Sequence, residues 1–320
     1  MSLVLNEDTG KFGNDYEKFS ICMNNTQQTN KLKGVLKHRE PMSEHTSWRT
    51  GGPADEYFEP VDLQDICDYL AGLPKDREIL WVGLGSNLLV RDGGFNGSVI
   101  AYNKALNNIE ERSDRYFYIE AGVPCAKVAR VTAKAGYTGA EFLSGIPGTM
   151  GGALAMNAGA FGNETWNIVN TVKTVNRSGE LRERSRDEFQ ISYRSVTGPD
   201  EEWFVSAEIK LIIDKERKAE KLIKEFLEKR SNTQPMGLPS CGSVFRNPPN
   251  DFAARLIELC GLKGKSIGNA SISEKHANFI INTGAATSED IEKLILYVQE
   301  KIYEVHGVKL ETEVKMIGEK

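Results

Sequence analysis

SGIPGTMGGALAMNAGAFG, residues Ser144 to Gly162, holds six glycines and four alanines and no charged residue. Glycine at this density is unfavourable in an ordinary helix, by about 1 kcal/mol per residue relative to alanine. Its apolar remainder also makes a poor flexible linker. Two readings fit: tight turns in a buried core, or a loop whose free N–H groups cradle phosphate oxygens. Upstream, Gly83-Leu-Gly-Ser-Asn-Leu88 and the following residues to Gly97 form a second glycine-rich segment, after an apolar run at 78–82 that reads as a buried strand. Gly83-x-Gly85 begins like a dinucleotide fingerprint, but Leu88 stands where its third glycine belongs. Strand-like residues follow instead of a helix, so a Rossmann βαβ unit is excluded. Two glycine loops beside strands suit a pair of clamps for one long diphosphate cofactor, with Ser86 and Asn87 adding polar groups.

The whole chain narrows the classes. Its 320 residues are enough for two or three compact domains. A net charge of −5 with interspersed signs argues against a general nucleic-acid binder. No apolar run approaches the roughly 20 residues that span a bilayer, and no signal-peptide pattern is expected at the start. Cys22, Cys67, Cys125, Cys241 and Cys260 are odd in number and scattered, which fits a reducing cytoplasm. Four histidines without metal-ligand spacing make a zinc or iron site unexpected.

Residues 1–40 are polar and read as a flexible arm. Asp62 suits the cap of a helix with Leu63, Ile66, Cys67 and Leu70 on one face, and a second helix is predicted near Cys125–Ala135, ended by Gly136. Strands are predicted over Ser98–Tyr102, Tyr116–Ala121, Thr171–Asn176 and Trp203–Ile213. Helix and strand alternate without a regular βαβ repeat, which points to α+β. Asp214–Asn232 reads as an amphipathic helix starting a second domain. A shorter helix follows over Asp251–Cys260, and a long one over Thr287–His306 with a Thr287/Asp290 capping box and Ile291, Leu294, Ile295, Val298, Ile302 and Val305 on one face. Leu310–Gly318 alternates like a strand that needs a sheet to join.

Three polar constellations carry chemistry. Ser192-Tyr193-Arg194-Ser195 is either a surface strand end or an arginine fork for a carboxylate or phosphate. Cys241-Gly-Ser243-Val-Phe245 lies in a loop fenced by prolines, but lacks the frame of a serine hydrolase. Nothing local lowers the pKa of Cys241. Glu311 and Glu313 alternate with Thr312 and Val314, for which a solvated strand face is the default reading. Gly261-Leu-Lys-Gly-Lys-Ser266 has too short a glycine spacing for a phosphate loop and reads as a turn.

Taken in order, these segments resemble the UDP-N-acetylenolpyruvoylglucosamine reductase (MurB) family. The resemblance rests on His45-Thr-x-x-x-Thr50-Gly-Gly-Pro-Ala-Asp55, Gly83-x-Gly-Ser-Asn-Leu88, Gly145-Ile-Pro-Gly-x-x-Gly-Gly152, Met156-Asn-Ala-Gly-Ala160, Ser192-Tyr-Arg194, Gly242-Ser-x-Phe-x-Asn-Pro248 and Glu311-x-Glu-Val314. It runs from about residue 43 to the end. It implies an α+β fold of the vanillyl-alcohol-oxidase (PCMH) type, with two FAD-binding subdomains and a smaller substrate domain. The implied divisions are 1–44 (arm and first element), 45–213 (FAD), 214–306 (substrate) and 307–320 (a strand returning to the FAD side).

By the same resemblance Arg194, Ser243 and Glu313 are catalytic. Non-covalent FAD would be held by Thr50, Gly51, Gly83, Gly85, Ser86, Asn87, Leu88, Ser144, Gly145, Pro147, Gly148, Gly151, Gly152, Asn157 and Gly159. The UDP-sugar would be met by Tyr193, Arg230, Gln234, Asn247 and His276, and NADPH would donate the hydride. A cytoplasmic monomer without nucleic-acid or membrane partners is the expectation. Only Ser195–Ile213 separate the Tyr-Arg pair from the substrate region, so the chain resembles the shorter subgroup without a tyrosine lid. A hydroxy-compound oxidase of the same architecture and a flavin-free UDP-sugar-binding module are the rival readings.

Overall fold

Phe95–Ala101 is the spine of the first sheet, and all but Asn96 of its residues are buried. In the computed structural model, which describes residues 32–112 and 115–320, this strand lies between Pro53–Glu59 and Ile79–Val82, parallel to both. Val35–Pro41 closes the edge, antiparallel to Pro53–Glu59. The sequence reading placed these edge residues in a flexible arm, whose first 31 residues lie outside the described residues. Val35–Pro41 escapes a periodicity search because an edge strand rich in Lys, His, Arg and Glu shows no apolar alternation. Helix α1 (Leu63–Gly72) packs Ile66 and Leu70 against Phe58 and Ile100, and its Asp62 cap accepts from the Asp65 amide.

The second sheet is antiparallel, ordered Leu181–Ser185, Val169–Asn176, Glu202–Lys210, Tyr116–Glu120 and Ile109–Glu111. Helix α2 (Cys125–Ala135) ends at Gly136, whose φ of 92° suits a residue without a Cβ. The glycine-rich segment departs from expectation, because Met150–Met156 forms a helix, α3. Tertiary contact outweighs the glycine penalty there. The Met150 and Gly151 amides donate to Val123 O and Ala121 O, and a Cβ on Gly151 would stand 2.9 Å from both Ala121 Cβ and the Tyr102 hydroxyl. Only glycine lets this helix lie so close to the neighbouring strand end.

Helix α4 (Ala219–Thr233) begins later than predicted, with the Asp214 carboxylate accepting from the Ala219 amide at 2.8 Å. Its apolar face was legible, but not what that face covers. Ala219 and Ile223 join the core of the second sheet, and Phe226 stacks on Phe161 at 4.0 Å. Beyond it, α5 (Ala253–Leu259), a small antiparallel sheet of Ser266–Ile267, Ala270–Ile272 and Ile280–Asn282, and α6 (Ser288–His306) enclose a further core. Trp48 enters that core from the first sheet's side, donating its indole N–H to Ile280 O at 2.8 Å. The Thr287/Asp290 capping box of α6 forms as read, although Val305 is exposed. The C-terminal strand is short, Lys315–Ile317, and runs parallel to Leu88–Val90.

Candidate active site

The two glycine loops meet. Strand Ile79–Val82 delivers Gly83–Asn87, and a 3-10 turn, Glu141–Gly145, delivers the loop before α3. A Cβ on Gly83 would overlap Thr149 Oγ1, one on Gly85 would overlap the His45 carbonyl, and one on Gly148 would stand 3.3 Å from Ser86 Oγ. A side chain therefore has no room at Gly83 or Gly85 and little at Gly148. Between the loops lies a cleft of about 510 Å³. Among the described residues, no backbone carbonyl accepts from the amides of Ser86 or Asn87, which border it.

Of the expected cofactor residues, Gly83, Gly85, Ser86, Asn87 and Leu88 line one wall, and Gly145, Pro147, Gly148, Gly152 and Gly159 another. Thr50, Gly51, Ser144, Gly151 and Asn157 stand behind the walls. Thr50 is buried with its carbonyl on Thr46 Oγ1, and Gly51 packs on Val90. Ser144 Oγ donates to Glu141 O, while Asn157 ends α3 and donates to Glu164 Oε2 and Ser192 O. Of the expected substrate residues, Tyr193, Arg230, Gln234 and Asn247 line the cleft. His276 lies outside that wall, its edge on Phe279, and burial pushes its pKa down.

Arg194, Ser243 and Glu313 come together in this cleft from three distant segments. Arg194 sits at φ 54°, past the tip of the Gln190–Ser192 strand. Its Nε donates to Glu313 Oε1 at 3.0 Å, and Nη2 and Nη1 donate to Gly159 O (2.8 Å) and Asn157 O (3.4 Å). Burial is the largest influence on Glu313 and raises its pKa; Arg194 and then Arg246 oppose that rise. Glu311, two residues away, is exposed, so the two glutamates do not share a solvated face.

Ser243 is placed by its neighbours. Val244 O accepts from the Glu313 amide at 2.7 Å, and Phe245 bridges Thr312. Asn278 holds the other side, donating to Phe245 O at 2.8 Å and accepting from its amide at 3.0 Å. Sequence reasoning missed Asn278; its signal is a buried amide interrupting the apolar run at 277–281. It also missed Tyr102, Phe161 and Lys315, which border the cleft. The Cys241 thiol, pushed up to about 12 by burial, is no nucleophile.

Residues 234–317 match the family described as UDP-N-acetylenolpyruvoylglucosamine reductase, C-terminal domain, and residues 54–185 match the FAD binding domain family. The UDP-N-acetylenolpyruvoylglucosamine reductase of Methylococcus capsulatus is 53% identical over 287 residues, 90% of this chain and 94% of that protein. The reductase of the same name from Legionella pneumophila is 50% identical over 301 residues, covering 94% and 98%. The chain belongs to the UDP-N-acetylenolpyruvoylglucosamine reductase family. It is an FAD-dependent oxidoreductase of the α+β flavin-binding fold. The crystal structure of the reductase from Thermus caldophilus superimposes with a TM-score of 0.75 at 28% identity, covering 89% of this chain and 99% of that one.

The walls of this reductase cleft fit a flavin dinucleotide. Glycine-rich loops in which the Ser86 and Asn87 amides, among the described residues, meet no backbone carbonyl suit a diphosphate. A second cavity of about 390 Å³ shares Trp81, Tyr102, Gly152 and Ala155 with the cleft and adds Phe189, Trp203 and Phe204, which extends the space along an aromatic wall. Among the described residues, no helix is long and apolar enough to cross a membrane.

Proposed function

We propose that this chain catalyses the NADPH-dependent, FAD-mediated reduction of the enolpyruvyl ether of UDP-N-acetylglucosamine to UDP-N-acetylmuramate, a step of peptidoglycan precursor synthesis in the cytoplasm. The observation that carries this reading is Glu313, held above its ordinary pKa by burial and touched by Arg194 in a cleft that Ser243 also lines. The two glycine loops would hold FAD non-covalently, and the bound flavin would supply the hydride for C3 of the enolpyruvyl group.

Negative charge then grows on the carboxylate side of the substrate. Arg194 balances it without giving up a proton, and its bonds to Gly159 O and Asn157 O keep the guanidinium aimed. Glu313 in its acid form donates a hydrogen bond to the substrate carboxylate. Ser243 delivers the proton to C2, a role that needs tight placement more than acidity. Arg230 is half-buried, and burial lowers its pKa; with Gln234, which accepts from its Nε at 2.9 Å, it meets the diphosphate of the UDP. Tyr193 and Asn247, which line the cleft, complete the substrate side without His276, and the protein works as a monomer. Residues 45–213 and 307–320 form the flavin part and 214–306 the substrate part, with α4 packed on the core of the second sheet.

Absorbance spectroscopy tests this. NADPH should bleach a bound flavin, and the enolpyruvyl substrate, but not simple alcohols, should restore its colour. Ser243→Ala should leave bleaching intact and slow the return by about 100-fold. An equally fast return would remove Ser243 from the proton step.

A further inference from the structure

We propose that Arg91 is a positioning residue for Glu313, which it serves by locking the register of the C-terminal strand onto helix α6. The proposal rests on the role given above to Glu313. That glutamate lies two residues before Lys315–Ile317, a strand with only three paired residues against Leu88–Val90. Val244 O holds the Glu313 amide on one side and Gly94 bridges Glu319 beyond the strand, but so short a ladder needs further pins, because a slip by one residue would turn alternate side chains to the opposite face. Glu313 would then leave the cleft.

Both ends of the ladder are pinned by residues of the flavin-side strand. At the first end, Asn87 Nδ2 donates to Glu313 O at 3.1 Å, and the Lys315 amide donates to Asn87 O at 3.0 Å. At the other end, the Arg91 amide donates to Ile317 O at 2.9 Å, and its Nη1 donates to Gly318 O at 3.0 Å. The rest of the guanidinium is a two-point fork on α6: Nε to Glu292 Oε2 at 2.9 Å and Nη2 to Glu292 Oε1 at 3.1 Å.

Helix α6 is in turn fastened beside it. The Asp92 carboxylate accepts from the Ser288 and Glu289 amides at 3.0 and 2.9 Å, and Ser288 Oγ donates to Val90 O at 2.6 Å. Strand and helix thus hold Arg91 from two sides: its amide and Nη1 grip the C-terminal strand at Ile317 O and Gly318 O, while Nε and Nη2 grip Glu292 on α6. The fork is partly shielded from water, with 25% and 13% of the two side chains exposed. Its geometry is planar and bidentate, which lysine does not reproduce.

The test compares flavin-loaded wild type with Arg91→Gln, Arg91→Lys, Glu292→Gln and the Arg91→Gln/Glu292→Gln double variant, with Glu313→Gln alongside. Stopped-flow absorbance separates flavin reduction by NADPH from reoxidation by the enolpyruvyl substrate, and hydrogen exchange reads the amides of residues 315–319. We expect reoxidation to slow by about 10-fold in each Arg91 and Glu292 variant, because small misplacements of a catalytic group are costly. Reduction should stay within about twofold, exchange at 315–319 should quicken, and the double variant should be no slower than the singles, as one shared interaction requires.

Equal slowing of both half-reactions, unchanged exchange, or faster exchange with unchanged reoxidation would each overturn the assignment. If Glu313→Gln slows reoxidation and Arg91→Gln does not, the positioning role alone fails. If neither slows it, the role of Glu313 fails and takes this proposal with it.

Discussion

Two arginine–glutamate pairs in this molecule are similarly shielded from water and behave in opposite ways. In Arg184–Glu202, 19% and 7% of the side chains are exposed; in Arg194–Glu313, 15% and 17%. Glu202 is gripped at both oxygens. Arg184 donates to Oε1 at 2.5 Å and to Oε2 at 3.0 Å, and Thr174 adds a bond to Oε2 at 2.7 Å. The Arg184 hydrogen bonds dominate and hold its carboxyl below the ordinary range. Among the described residues Glu313 receives a single side-chain bond, because Arg194 spends its other nitrogens on the carbonyls of Asn157 and Gly159. Burial then dominates and raises its pKa. Several charge-assisted hydrogen bonds thus outweigh burial at Glu202 and lower its pKa, whereas the Arg194 contact does not offset burial at Glu313, whose pKa rises.

The comparison is broken hardest at Arg194. Arg194→Lys keeps the charge but loses the fork, and turnover should drop by about 100-fold or more with Tm little changed. Steady-state kinetics beside a thermal melt reads both; unaltered turnover would make this a second structural pair. Glu202→Gln should do the reverse. Losing bonds to a buried charge should destabilise the fold by about 2 kcal/mol and lower Tm by several degrees, with reoxidation kinetics unchanged.

The pH dependence sharpens the contrast more gently. Glu313 has a raised pKa, so a rate that needs its acid form is full at low pH and falls as pH rises through that raised value. Glu313→Gln should flatten this limb of the kcat profile. Glu202 has a lowered pKa, so its contribution to stability is present above the ordinary carboxylate value of 4.5 and is lost as pH falls through the lowered one. Denaturant melts across the acid range should show that loss in wild type and not in Glu202→Gln.

Much of the architecture was legible because its signals are local. Asp62 reaches Asp65 and Thr287 reaches Asp290, contacts within one helical turn, so the caps of α1 and α6 could be read directly. Gly136 and Gly307 end their helices at positive φ for the same near-neighbour reason. What was hidden depends on distant partners. Helix α3 forms against its own glycine content because Gly151 meets Ala121 and Tyr102. The polar strand Val35–Pro41 exists because Pro53–Glu59 offers it an edge.

Composition and spacing by themselves determined the two glycine loops, the absence of a Rossmann plan and which arginine, serine and glutamate types stood available. Tertiary structure alone decided which of those groups would meet. Arg194 and Glu313 are 119 residues apart, and neither carries a local mark of the other. Glu311 and Glu313 looked alike in an alternating strand, yet one faces water and the other a cleft. The reason is physical: glycine freedom and capping are settled within a few residues, whereas the state of a carboxyl group depends on burial and hydrogen bonds supplied by chain that is remote in sequence.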